Sequence, residues 1–70
     1  MISKQIKDLR KQHNYTQEEL AEKLNTSRQT ISKWEQGISE PDLIMLMQLS
    51  QLFSVSTDYL RSEEHTSELQ

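Results

Sequence analysis

The sequence predicts an all-α fold, and three observations carry that prediction. Apolar residues recur at spacings of three and four, no stretch alternates apolar and polar with period two, and the 70 residues contain one glycine and one proline. Ile2, Ile6, Leu9 and His13 mark one face of a first helix that should end near Asn14, a residue type that tolerates the left-handed backbone conformation. Thr16 and Glu19 have the spacing of a capping box, in which hydroxyl and carboxylate satisfy backbone donors left open at a helix start, and Tyr15 with Leu20 fits the accompanying hydrophobic staple. The second helix carries Leu20, Ala21 and Leu24 on a stripe of only two turns, and Asn25 stops it.

A third helix is expected to start at Ser27, a good N-cap with Thr26 as the alternative, and to end before Gly37, which suits a left-handed C-cap. Pro41 and Asp42 mark the start of a fourth. Its sequence LIMLMQLSQLF is apolar around most of its circumference, which predicts the central core element, with Met45 and Met47 filling core space. SVSTDYL reads as a short turn, an N-cap at Ser56 and the first turn of a fifth helix.

Composition narrows the function classes. A chain of 70 residues holds one small domain with little stability to spare. It has no cysteine, and its two histidines, His13 and His65, lack metal-ligand spacing, so no disulfide, metal or cofactor is expected. The N-terminal MISKQIKDLRKQ has no apolar h-region and no stretch approaches the length of a membrane helix, which predicts a cytoplasmic protein with no membrane partner. One glycine cannot build a phosphate loop, and no nucleophile, base and acid stand in a catalytic pattern, so the chain is not expected to be an enzyme.

The net charge is −3. Seven bases against eight acids leave residues 1–60 at −1, and the last ten residues contribute −2. Those ten, RSEEHTSELQ from Arg61 to Gln70, match an in-frame translation of AGATCGGAAGAGCACACGTCTGAACTCCAG, which resembles a common sequencing-library adapter. Residues 1–60 are therefore read as the domain. Residues 61–70 are read as a non-native tail, disordered or the frayed end of a helix.

Two short helices joined by a tight turn cannot bury a core by themselves and leave one helix projecting, an arrangement suited to docking. Counted from Gln17, a small residue stands at the fifth place (Ala21), apolar residues at the fourth, eighth, fifteenth and eighteenth (Leu20, Leu24, Ile31, Trp34), and a turn residue at the ninth (Asn25). This resembles the helix-turn-helix of the phage-repressor-like, or XRE, family of bacterial transcriptional regulators. The resemblance covers nearly all of Ile2 to Leu60, including IKDLRKQ, TQEELAEKL, SRQTISKWEQG, PD and LSQLFSVSTDYL. Asn25 stands where the family usually has glycine, and ISEPD carries two acids where some relatives carry bases.

The resemblance implies a five-helix lambda-repressor-like DNA-binding domain with the motif at the second and third helices. At about 100° per residue, Arg28, Gln29, Ser32 and Lys33 share one side of the third helix, and Thr30, Ile31, Trp34 and Glu35 share the other. Glutamine can pair with adenine N6 and N7, arginine with guanine O6 and N7, and lysine with guanine or a phosphate, so the first set is expected to read bases. Gln17 and Ser27, at helix starts, and Gln36 are expected to contact phosphates. In relatives the pair matching Arg10 and Glu35 bridges the first and third helices, and Trp34 is expected to be core. The expected function is that of a sequence-specific regulator, most simply a repressor. Its expected partner is double-stranded DNA, bound as a homodimer across a pseudo-palindrome through Val55 to Leu60. The alternative is an antitoxin-type interaction module or the headpiece of a larger ligand-sensing regulator, with a toxin or polymerase as protein partner.

Overall fold

Five helices follow one another through the described residues, 2–61, of a computed structural model: α1 (Ile2–Gln12), α2 (Gln17–Lys23), α3 (Arg28–Gln36), α4 (Leu43–Phe53) and α5 (Thr57–Arg61). Arg61, assigned from sequence to the tail, is the last residue of α5, and the reading of residues 62–70 lies outside the described residues. No described helix is long and apolar enough to cross a membrane.

Side-chain caps start four of these helices. Thr16 accepts from the Glu19 amide at 3.0 Å while Glu19 Oε1 accepts from the Thr16 amide at 2.8 Å, completing the capping box. Ser27, Asp42 and Ser56 accept from the amides of Thr30, Met45 and Tyr59 at 3.2, 2.9 and 3.0 Å. Each such cap contributes about 1 kcal/mol.

The first four helices are each followed by a left-handed residue, namely Asn14 (φ 61°), Asn25 (φ 59°), Gly37 (φ 77°) and Ser54 (φ 57°). After α1, Asn14 N–H donates to Lys11 and Tyr15 N–H to Arg10; after α2, Asn25 and Thr26 donate to Glu22 and Ala21; after α3, Gly37 and Ile38 donate to Trp34 and Lys33. This paired pattern is the Schellman motif, which satisfies carbonyls that the helix leaves open. Ser54 is the member that the sequence reading did not anticipate. A serine there bears the Cβ penalty that glycine avoids, so Ser54→Gly is expected to raise stability by about 0.5–1 kcal/mol. A thermal melt showing an unchanged or lowered midpoint would contradict this.

Ile6 and Leu9 of α1, Leu20 and Ala21 of α2 with Leu24 just after it, Ile31 and Trp34 of α3, Leu46, Leu49 and Phe53 of α4, and Leu60 of α5 form one buried cluster. Its centre is not α4. Helix α3 packs against both α1 and α2, whereas α4 packs chiefly on α5. A straight helix turns only one stripe to its neighbours. Leu46, Leu49 and Phe53 make that stripe, leaving Leu43 and Ile44 exposed. Met45 packs half-buried at the edge of the core, but Met47 is 48% exposed and fills no core space. His13 also departs from expectation. Helix α1 ends at Gln12, so the turn carries His13 off the stripe to an exposed position, where its ring lies 4.8 Å from Phe53.

Candidate nucleic-acid interface

The link between α2 and α3 is four residues, Leu24 to Ser27, and three features fix its course. Leu24 is buried, Asn25 turns left-handed, and Ser27 caps the next helix. Asn25 thus supplies the conformation for which glycine is usual, at the modest cost that asparagine bears there. Ile31 and Trp34 are drawn into the core, and this rotation sets the opposite side of α3 toward solvent.

On that outer side Arg28, Gln29 and Lys33 are exposed and Ser32 is half-buried. Together with Gln36 and Ile38 they line one open depression. Among the described residues, Arg28, Gln29 and Lys33 form no side-chain hydrogen bond or ion pair, so their donors and acceptors face solvent unspent. Gln36 Nε2 donates to Ser32 Oγ at 2.7 Å, joining two residues one turn apart. The four residues expected to read bases therefore share one surface, with Gln36 beside them.

Beneath this surface lies a charged anchor. Arg10 Nε donates to Glu35 Oε2 at 2.6 Å and Arg10 Nη2 to Oε1 at 3.1 Å, a bidentate pair whose side chains are only 12% and 4% exposed. Arg10 Nη1 also donates to the Tyr15 carbonyl at 2.9 Å. Gln17 Nε2 donates to Glu35 Oε1 at 3.1 Å. One carboxylate thus ties α1, the start of α2 and the far end of α3 together.

The remaining expected phosphate contacts have mixed placements. Gln17 stands at the first position of α2, half-buried, with one amide proton committed to Glu35. Ser27 is exposed, and its Oγ accepts from the Thr30 amide and lies 3.0 Å from Thr30 Oγ1, so capping engages it. The link from Gln17 to Glu35 was not read from the sequence, nor was Ile38 at the edge of the reading surface. The signal for Ile38 was an apolar residue directly after a C-cap glycine, outside every helical stripe.

Comparison with known proteins agrees with this geometry. The family described as helix-turn-helix (HTH_3) matches residues 6–60. The HTH-type transcriptional regulator ImmR of Bacillus subtilis is 41% identical over 66 residues, covering 94% of this chain and 52% of ImmR, so the chain spans about half the length of that relative. Among solved structures, the P22 c2 repressor in complex with a synthetic operator superposes with a TM-score of 0.81 at 32% identity, covering 86% of this chain and 91% of that one. SinR, the master regulator for biofilm formation, in complex with DNA gives a TM-score of 0.80 at 32% identity, covering 89% of this chain and all (100%) of that one. The five helices are those of a lambda-repressor-like domain. With its motif at α2 and α3, the chain belongs to the helix-turn-helix family of XRE-type transcriptional regulators, a family of DNA-binding proteins rather than enzymes.

Proposed function

We propose that this chain is a sequence-specific DNA-binding regulator that seats α3 in the major groove, working in the cytoplasm and most simply as a repressor. The observation that carries this reading is the outward polar face of Arg28, Gln29, Ser32 and Lys33, with Arg28, Gln29 and Lys33 uncommitted among the described residues, on a helix whose opposite face is core. Nine residues make a rod of about 13 Å, short enough to seat its outer face against base edges in a groove about 12 Å wide. The anchor formed by Arg10, Glu35 and Gln17 holds that rod rigid with respect to α1 and α2. Affinity must then come from base contacts and a few phosphate contacts, since net charge −3 supplies no general attraction to DNA.

One domain offers few base contacts. Two copies related by a two-fold axis read half-sites about 34 Å apart, which supports a homodimer on a pseudo-palindrome. The joining surface is assigned to the segment 55–60, where Val55 packs at the core edge and Tyr59 is exposed, while Leu60 is held in the core and positions the segment. Selection of binding sites from a random DNA pool tests both statements. Enrichment of paired, inverted half-sites one turn apart is the expected result. Isolated half-sites would overturn the dimer, and no enrichment would overturn DNA reading.

Phosphate contacts are assigned to Gln17, Ser27 and Gln36, at the helix starts and the rim of the reading face. A phosphate carries no base information directly. Gln17→Ala is therefore expected to weaken binding to operator, mutated operator and random DNA by the same factor. Because the Glu35 hydrogen bond is lost as well, stability should fall by about 1 kcal/mol. A changed base preference in Gln17→Ala would show that Gln17 reads sequence.

A further inference from the structure

We propose that Ile38 is a specificity-determining residue that reads a thymine by its C5-methyl group. This inference rests on the groove-reading role given to α3 above. Ile38 is 67% exposed, yet it is not a stray surface side chain, because it lines the same depression as Arg28, Gln29, Ser32, Lys33 and Gln36. Its position is built by the end of α3. Gly37, at φ 77°, reverses the chain, and the Ile38 amide donates back to the Lys33 carbonyl at 3.0 Å. In a Schellman motif the residue at this position commonly packs an apolar contact onto the helix it terminates. Here the residue it bonds back to is Lys33, a reader on the outer face, so closing the motif holds Ile38 beside the reading surface instead of over the core.

The chemistry of the groove singles out the partner. Each base pair presents donors and acceptors along the major-groove edge, and the thymine C5-methyl is its apolar group. The residues lining the depression are polar or charged except Ile38, so they can satisfy the hydrogen-bonding groups and leave one apolar side chain. A branched aliphatic side chain in a fixed turn gains by burial against a methyl and lacks that contact at cytosine, whose C5 carries only a hydrogen. A thymine within reach of Lys33 is thus the expected position, beside the base pairs read by Arg28 and Gln29.

The test uses operator obtained by selection with the unaltered chain and replaces each thymine in turn by uracil, which removes the methyl and nothing else. The unaltered protein is expected to lose about three- to fivefold in affinity at one thymine per half-site, the scale of one buried methyl. Ile38→Ala is expected to bind the thymine operator more weakly by a similar factor and to be indifferent to uracil at that same position. Helical content by circular dichroism should be unchanged, because Ile38 is outside the core cluster. If uracil at every thymine affects Ile38→Ala and the unaltered protein alike, or has no effect on either, the assignment is overturned while DNA reading by α3 stands. If no operator is enriched, the groove-reading role fails and the assignment with it.

Discussion

Glu35→Ala is expected to lower the stability of the domain by about 3–5 kcal/mol, the usual consequence of removing one partner from a buried ion pair. The Glu35 carboxylate accepts three N–H donors, two from Arg10 and one from Gln17. Without it the guanidinium of Arg10, a side chain only 12% exposed, keeps only the Tyr15 carbonyl. Domains of ordinary size have about 5–15 kcal/mol in total, and one this short lies at the low end, so the variant should be substantially unfolded at 37 °C. The pair itself need not be net stabilising, since its attraction is set against the desolvation of both groups. An Arg10→Met, Glu35→Leu double variant should therefore recover more than half of the loss. Thermal melts of the unaltered chain, both single variants and the double variant measure the coupling directly. A loss below about 1 kcal/mol in Glu35→Ala would place this pair with ordinary surface bridges.

Much of the fold was legible in the sequence because much of it is local. Thr16 with Glu19, Ser27 and Asp42 cap helices through contacts three residues apart, so their meaning is complete within one turn of chain. Asn14, Asn25 and Gly37 are residue types with a recognised tolerance of positive φ, and all three adopt it. Ser54 has no such tolerance, and it turns left-handed where the chain passes from α4 to α5 and Ser50 Oγ donates to the Val55 carbonyl.

Helix α4 departs from its expected central place for a related reason. Hydrophobicity all round a helix signals burial only if neighbours are available to cover every side. In a domain of five short helices α4 packs chiefly on α5 and turns one stripe to the core, so Leu43, Ile44 and Met47 stay in contact with solvent. The face of α3 was readable from its period, whereas the link from Gln17 to Glu35 spans 18 residues and depends on how α2 meets α3. No local pattern encodes that angle. The resemblance to XRE-type regulators implied the bridge between Arg10 and Glu35, which are 25 residues apart and meet as a bidentate pair.

Arg28→Ala and Gln29→Ala are each expected to cost about 1–3 kcal/mol on the selected operator, roughly 5- to 150-fold in affinity, and to relax preference at particular base pairs. Both side chains are exposed on the outer face of α3, and neither has a partner to lose within the described residues. Folding should consequently be untouched, and helical content and melting temperature should match those of the unaltered chain. Binding to random DNA should change little for Gln29→Ala. For Arg28→Ala it should fall modestly, because a positive charge near the phosphates is removed, and that part of the loss should shrink as salt is raised. The base-specific part should persist at high salt, which separates reading from attraction. Measuring both variants on operator, on its single-base mutants and on random DNA at two salt concentrations distinguishes the contributions. Arginine pairs best with guanine and glutamine with adenine, so each variant should lose discrimination at a different base pair. Folded variants whose base preferences match the unaltered chain would remove α3 as the reader.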